Sequence, residues 1–170
     1  KLGMVGGGND AFIGGVHRIA ARIDDRFELV AGALSSTPEK SAASAKGLGI
    51  LRSYGSFIEM AQAEASHDQG IEAVSIVTPN HVHAAAAKAF LARGIHVICD
   101  KPLTSTMQDA ADLEKAVADS KALFVLTHNY TGYPMIRQAR DMVASGELGT
   151  IRIVQAEYPQ DWLTSPMENE

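Results

Sequence analysis

Short apolar runs rich in β-branched residues alternate with longer alanine-rich stretches along most of this chain. No other feature constrains the fold as tightly. Runs at 2–5, 27–33, 73–77, 95–99 and 123–127 read as strands, with a weaker one at 52–54. Several are apolar without a period of two, as expected of parallel strands covered by helices on both faces. Strand and helix in regular alternation predict an α/β chain with a doubly wound parallel sheet and right-handed crossovers.

The intervening segments carry helix-start signals. Thr37-Pro38 places a cap residue before a proline at the first helical position. Ser56 and Glu59 have the spacing of a capping box. Asn80 is expected to cap a helix over 82–92 that stops at Gly94, and Ser105 to cap one over 107–119. The character changes near residue 130. A polar, aromatic loop at 128–133 precedes a helix from Pro134 to about Ser145, stopped by Gly146, and 150–158 alternates like a strand. This predicts a first domain over 1–129 and, over 130–170, the first elements of a truncated second α+β domain. The polar end of the chain closes nothing, so a longer polypeptide is expected.

The first strand runs directly into Gly6-Gly7-Gly8-Asn9-Asp10-Ala11-Phe12-Ile13-Gly14-Gly15, followed by a helix over 16–23. A strand, a glycine turn and a helix in that order present backbone N–H groups and a helix N-terminus to a pyrophosphate. Gly6 and Gly8 fit the first two positions of G-x-G-x-x-G. At the third, either Ala11 substitutes, or the loop is longer and Gly14 packs the helix. Phe12 and Ile13 fall in the same cofactor-binding stretch, and Asp10 adds a negative charge near the phosphates unless it points away. A purely structural turn is the plain alternative. The second strand ends in Ala33-Leu34-Ser35-Ser36-Thr37, without the carboxylate that reads an NAD ribose. Ser35, Ser36 and Lys40 favour NADP over NAD as cofactor, against the reading of two turn serines and a solvated lysine.

Two further motifs carry a family resemblance over essentially the whole chain. Thr78-Pro79-Asn80-His81-Val82-His83 resembles T-P-N-x-x-H, and His96-Val97-Ile98-Cys99-Asp100-Lys101-Pro102-Leu103 resembles H-V-x-x-E-K-P-L. Both patterns are those of the glucose–fructose oxidoreductase / inositol dehydrogenase / rhizopine-catabolism family (Gfo/Idh/MocA), and their spacing and the 146–151 stretch are also similar to its members. The resemblance implies a Rossmann domain binding NAD or NADP, and hydride transfer between the nicotinamide and a secondary alcohol or ketone of a sugar, inositol or related polyol.

By the same resemblance Lys101 is the catalytic lysine beside the nicotinamide, and Pro102 follows a cis bond. An ammonium there would stabilise developing alkoxide charge. Thr78, Pro79, Asn80, His83, Asp100 and Asn129 join the cofactor-side residues, Asp100 standing where the motif has glutamate. His83 and His17 also read as packing or hydrogen-bonding residues, and His96 and the lone cysteine, Cys99, as structural. Asn129 and Tyr130, and more weakly Gln160, Asp161 and Trp162, are candidates for substrate or carboxamide contacts at the nicotinamide end of the crevice. Aromatic packing at the domain boundary is the equal alternative. The family's Asp-x-x-x-His, whose histidine takes the hydroxyl proton, has no counterpart: Asp161 is followed four residues later by Ser165. The 170 residues alone are therefore expected to bind cofactor and turn over little. A non-catalytic dinucleotide-binding module, acting as a sensor or accessory subunit, is the alternative.

Composition excludes other classes. A net charge of −5 with no basic tract lacks the footprint of a nucleic-acid binder. No apolar stretch approaches the roughly 18 residues of a membrane span. A single cysteine and the lack of a leader pattern at the start point to the cytoplasm. His81 and His83, two apart, make a poor metal pair, and no metal site is expected. A homo-oligomer formed through the second domain is expected of the full-length protein. The 150–158 strand, without partners, would expose unpaired backbone groups and make the isolated chain prone to association.

Overall fold

A computed structural model describes residues 1–9, 11–161 and 164. The chain folds as two compact units, Lys1–His128 and Asn129–Glu170.

In the first unit the elements run β1 (Leu2–Gly6), α1 (Phe12–Ile23), β2 (Leu29–Ala33), α2 (Pro38–Leu48), β3 (Arg52–Ser53), α3 (Phe57–Ser66), β4 (Ala73–Val77), α4 (Asn80–Leu91), β5 (His96–Cys99), α5 (Met107–Asp119) and β6 (Phe124–Leu126). The six strands form one sheet in the order β3-β2-β1-β4-β5-β6, every pairing parallel. This is the doubly wound α/β sheet expected from the strand–helix alternation. Its order reverses between β1 and β4, and ligands of such sheets bind in the crevice outside the carboxyl ends of the strands there.

Alternate residues of β1 and β4 serve different layers. Val5, Val74, Ile76, Val97 and Cys99 join Met60, Ala87, Phe90 and Leu113 in the larger core, which packs α3, α4 and α5. Met4, Val77 and Leu34 meet Ala45 and Ile50 in a smaller core beneath α2. All five residues of β4 are buried, four of them apolar, the fifth being Ser75, whose hydroxyl lies 2.8 Å from His17 Nδ1. Phe90 is wholly enclosed, and burying a side chain of its size contributes about 3 kcal/mol.

The two-residue edge strand β3 is held by side chains. Buried Glu64 accepts from Arg52 Nε at 2.6 Å and Nη2 at 2.8 Å, from the Tyr54 hydroxyl at 2.7 Å and from the Ile71 N–H at 3.1 Å. Burial alone would raise the Glu64 pKa, but these donors outweigh it and hold the carboxyl below its ordinary value. Burial and the neighbouring carboxylate push the Tyr54 hydroxyl up to about 12.

Several local expectations are corrected. Helix α1 begins at Phe12, four residues before the predicted start, so Gly14 and Gly15 are helical. Helix α4 begins at Asn80 with Pro79 as its cap residue, and no side chain caps it. Thr106, rather than Ser105, caps α5 by accepting from the Asp109 N–H at 3.1 Å. The capping box of α3 is displaced: Ser56 accepts from the Glu59 N–H, but the Glu59 carboxylate reaches back to the N–H of Gly55. Thr37 makes no side-chain cap, leaving Pro38 to start α2. His96 is exposed rather than buried, and its Nδ1 accepts from the Leu123 N–H at 2.9 Å.

The second unit holds a 3-10 turn at Asn129–Gly132 and helix α6 at Pro134–Ala144, terminated by left-handed Gly146. The strand expected at 150–158 is not formed. This segment is exposed and without regular structure, because among the described residues no strand lies beside it to accept its pairing. Instead Tyr158 is drawn in by its ring: its hydroxyl lies 2.6 Å from that of Tyr130, with the rings edge to face at 6.0 Å.

Candidate functional site

The carboxyl ends of β1, β2, β4 and β5 carry most of the residues singled out from the sequence. After β1 the backbone turns left-handed at Gly6 (φ +78°) and Gly7 (φ +70°), which a side chain would resist. A Cβ on Gly8 would stand 2.9 Å from both the Leu34 carbonyl oxygen and Ser44 Oγ. Ala11 is the extended residue before α1, with no side-chain cap, and the first turn of α1 holds no acidic residue. The leading N–H groups of α1 therefore open without a protein acceptor from a cap. Phe12 is largely exposed, while Ile13 packs against the smaller core.

Gly14 settles the alternative left open at the third glycine position. A Cβ there would lie 2.4 Å from Gly7 Cα and 2.5 Å from the Gly7 oxygen, so Gly14 takes the helix-packing role. Asp10 lies outside the described residues. Three side chains missed by sequence reading brace the turn and its neighbour. Arg18 Nη1 donates to the Gly7 carbonyl at 2.5 Å, and Ser44 Oγ accepts from the Asn9 N–H at 3.3 Å. Ser41 Oγ accepts from the Leu34 N–H at 2.9 Å and donates to the Tyr54 carbonyl at 2.8 Å. Their only sequence signal is a pair of serines three apart on α2, a helix otherwise rich in alanine.

At the end of β2, Ser35 accepts from the Thr37 N–H at 3.2 Å, as a turn serine does. Ser36 and Lys40 are exposed and make no hydrogen bond or ion pair among the described residues. No carboxylate stands at 34–37.

After β4, Thr78 Oγ1 is buried without a hydrogen-bond partner among the described residues. The Asn80 side chain is exposed and makes no hydrogen bond among the described residues. His83 is buried, its Nδ1 2.8 Å from the Pro102 carbonyl oxygen and its Nε2 2.9 Å from that of Thr78, so one ring spans the loops after β4 and β5. This is the hydrogen-bonding role read for it above.

After β5, the Lys101–Pro102 peptide is cis. Lys101 is exposed and partnerless among the described residues. Asp100, just before it, accepts from Thr127 Oγ1 at 2.7 Å and lies 3.7 Å from His17 Nε2. His17 Nδ1 is 2.8 Å from the hydroxyl of buried Ser75. Burial lowers the His17 pKa, with Asp100 opposing the shift. Cys99 is fully enclosed and its thiol is pushed up to about 12 by burial, with a contribution from Asp100. That thiol is unreactive.

Asn129 belongs to the second unit, where its Nδ2 lies 3.5 Å from the Tyr133 hydroxyl. Tyr130 packs on Tyr133 and Tyr158. Gln160 and Asp161 are exposed, and Trp162 lies outside the described residues. Among the described residues no cluster of three or more His, Cys, Asp or Glu could hold a metal ion, and no helix is long and apolar enough to cross a membrane.

Comparison with known proteins matches residues 1–130 to the oxidoreductase family with an NAD-binding Rossmann fold. An oxidoreductase from Sinorhizobium meliloti superposes with a TM-score of 0.91 at 70% identity, covering 95% of this chain and 46% of that one. An inositol dehydrogenase homolog from Azotobacter vinelandii, solved with NADH and myo-inositol, superposes at 0.84 and 40% identity, covering 89% and 40%. Levoglucosan dehydrogenase of Pseudarthrobacter phenanthrenivorans is 31% identical over 173 residues, covering 98% of this chain and 42% of that protein. The chain thus spans less than half the length of these relatives. Glycine turn, sheet order, both loop motifs and these matches agree: the chain belongs to the Gfo/Idh/MocA family of NAD-binding Rossmann oxidoreductases.

Proposed function

We propose that this chain is the cofactor-binding part of a dehydrogenase that oxidises a secondary alcohol of a sugar, inositol or related polyol, or reduces the ketone. One observation carries the reading. A glycine turn too tight for side chains, after β1, and a lysine unpartnered among the described residues, after β5, both stand at the carboxyl edge of the sheet, on opposite sides of its switch point.

The residues fit a nicotinamide dinucleotide. Backbone N–H groups of Gly8 and of Phe12 and Ile13 at the start of α1 would hold the diphosphate, with Gly14 allowing the helix to approach the turn. Ser36 and Lys40, exposed where an NAD enzyme carries a carboxylate, would hold a ribose phosphate and favour NADP, with Ser35 shaping the turn. The buried, orphaned hydroxyl of Thr78, with Pro79 and Asn80 beside it, would meet the nicotinamide ribose. The nicotinamide, when bound, exchanges the hydride with the substrate carbon. Lys101 donates a hydrogen bond to the oxygen on that carbon and stabilises its developing negative charge. No residue of the chain stands in an Asp-x-x-x-His, so proton acceptance is assigned to none of the 170.

The test is polyol oxidation by the full-length protein with NADP and with NAD, using myo-inositol, levoglucosan and D-xylose as substrates. Lys101→Ala should lower turnover at least about tenfold and leave cofactor affinity within about twofold. Unchanged turnover removes Lys101 from the chemistry. Cofactor binding without turnover of any polyol would favour the non-catalytic module.

A further inference from the structure

Lys101 has no partner among the described residues, so its aim depends on the turn that carries it. The side-chain tie nearest that turn is the carboxylate of Asp100. Its Oδ1 takes the Thr127 hydroxyl at 2.7 Å and faces His17 Nε2 at 3.7 Å, while its backbone N–H donates to the Ile76 carbonyl at 2.9 Å. Thr127 is itself fixed, its N–H donating to the Cys99 carbonyl at 2.9 Å. His17 is fixed by Ser75 at 2.8 Å. The carboxylate is thus reached from α1 and the end of β6, and the Asp100 backbone from β4, all converging one residue before the lysine. A hydroxyl bonded to a mostly buried carboxylate is among the stronger hydrogen bonds a protein makes. Glutamate, which the motif carries here, has one methylene more, so the short reach from Thr127 is matched to aspartate.

We infer that Asp100, clamped by Thr127, is a positioning residue for the Lys101 amine. The clamp fixes the backbone from which Lys101 departs against α1, the helix that opens the cofactor cradle. This inference rests on the catalytic reading of Lys101. It adds that the lysine is aimed by a carboxylate held from the sixth strand.

The experiment uses the full-length protein and four variants: Lys101→Ala, Thr127→Val, Thr127→Ser and Asp100→Asn. Thr127→Val removes the hydroxyl and keeps the shape. It should lower kcat about tenfold, as a small misplacement of a reacting group does, with the polyol KM and the NADPH and NADH dissociation constants within about twofold. Asp100→Asn should follow it, and Thr127→Ser should restore kcat. Hydrogen exchange of the peptide over 98–107, read with NADPH present, should be about tenfold faster in Thr127→Val and normal in Thr127→Ser. This second readout needs no substrate. Normal exchange in Thr127→Val overturns the clamp, as does equal loss in the valine and serine variants or a loss confined to cofactor affinity. Full turnover in Lys101→Ala would instead overturn the catalytic reading, and the clamp's purpose with it. Loss in Lys101→Ala beside normal Thr127→Val overturns the clamp alone.

Discussion

Gly14 lies with its bare Cα against the backbone of Gly7, so close that a Cβ would come within 2.4 Å of Gly7 Cα and 2.5 Å of its oxygen. Backbone cannot rotate aside as a side chain can, so the contact sets how near α1 approaches the turn. Gly15, the next residue, faces only Arg18 Nη2 at 3.8 Å. Gly14→Ala is expected to destabilise the fold by about 2–3 kcal/mol through overpacking. Gly15→Ala is expected to stabilise it by up to about 1 kcal/mol, the gain from alanine in a helix. Urea denaturation of the two variants checks the contrast.

Glu64 is enclosed with its four donors, so removing its charge strands the Arg52 guanidinium. Glu64→Gln should cost about 3 kcal/mol at neutral pH. Its folded pKa lies below the unfolded value, so its contribution is present above about pH 4.5 and is lost as the pH falls through the folded value. Stability of wild type and Glu64→Gln measured from neutral to acid pH should therefore converge at the acid end.

His17 titrates with the opposite chemistry but the same sign. Its folded pKa is depressed, so below the ordinary value of 6.5 the unfolded chain binds the proton first. Stability should fall as the pH drops through 6.5 toward the lower folded value, and His17→Gln should flatten that part of the curve. Denaturant midpoints across the range are the measurement, and an equal slope in the variant would remove His17 as its source.

The sheet was legible because its central strands are buried and so appear as short, largely apolar runs; β4 is matched at both ends. Boundaries slipped where tertiary packing overrides local preference. Gly14 and Gly15 look like loop, yet contact with Gly7 requires the first of them inside the helix. Ser105 and Thr106 are equally able caps, and only the register of α5 decides between them. The strand at 150–158 was read from alternation alone, which pairing must complete. Lys101, Asp100 and the glycines were visible as motifs. Ser41, Ser44, Arg18 and Thr127 were not, since each acts on backbone or a carboxylate brought near by the fold. Thr127 meets Asp100 from 27 residues away, and Ser44 meets Asn9 from 35.

The central claim, that the turn after β1 holds a nicotinamide dinucleotide, is tested most directly by titrating this chain with NADPH and NADH and following the cofactor's fluorescence. A Cβ on Gly8 would collide with the Leu34 carbonyl and Ser44, so Gly8→Val serves as the matched variant. Saturable binding is expected, tighter for NADPH than for NADH, and weakened at least about a hundredfold in a Gly8→Val chain that still folds. Failure of both cofactors to bind wild type, or equal binding by the valine variant, would contradict the account.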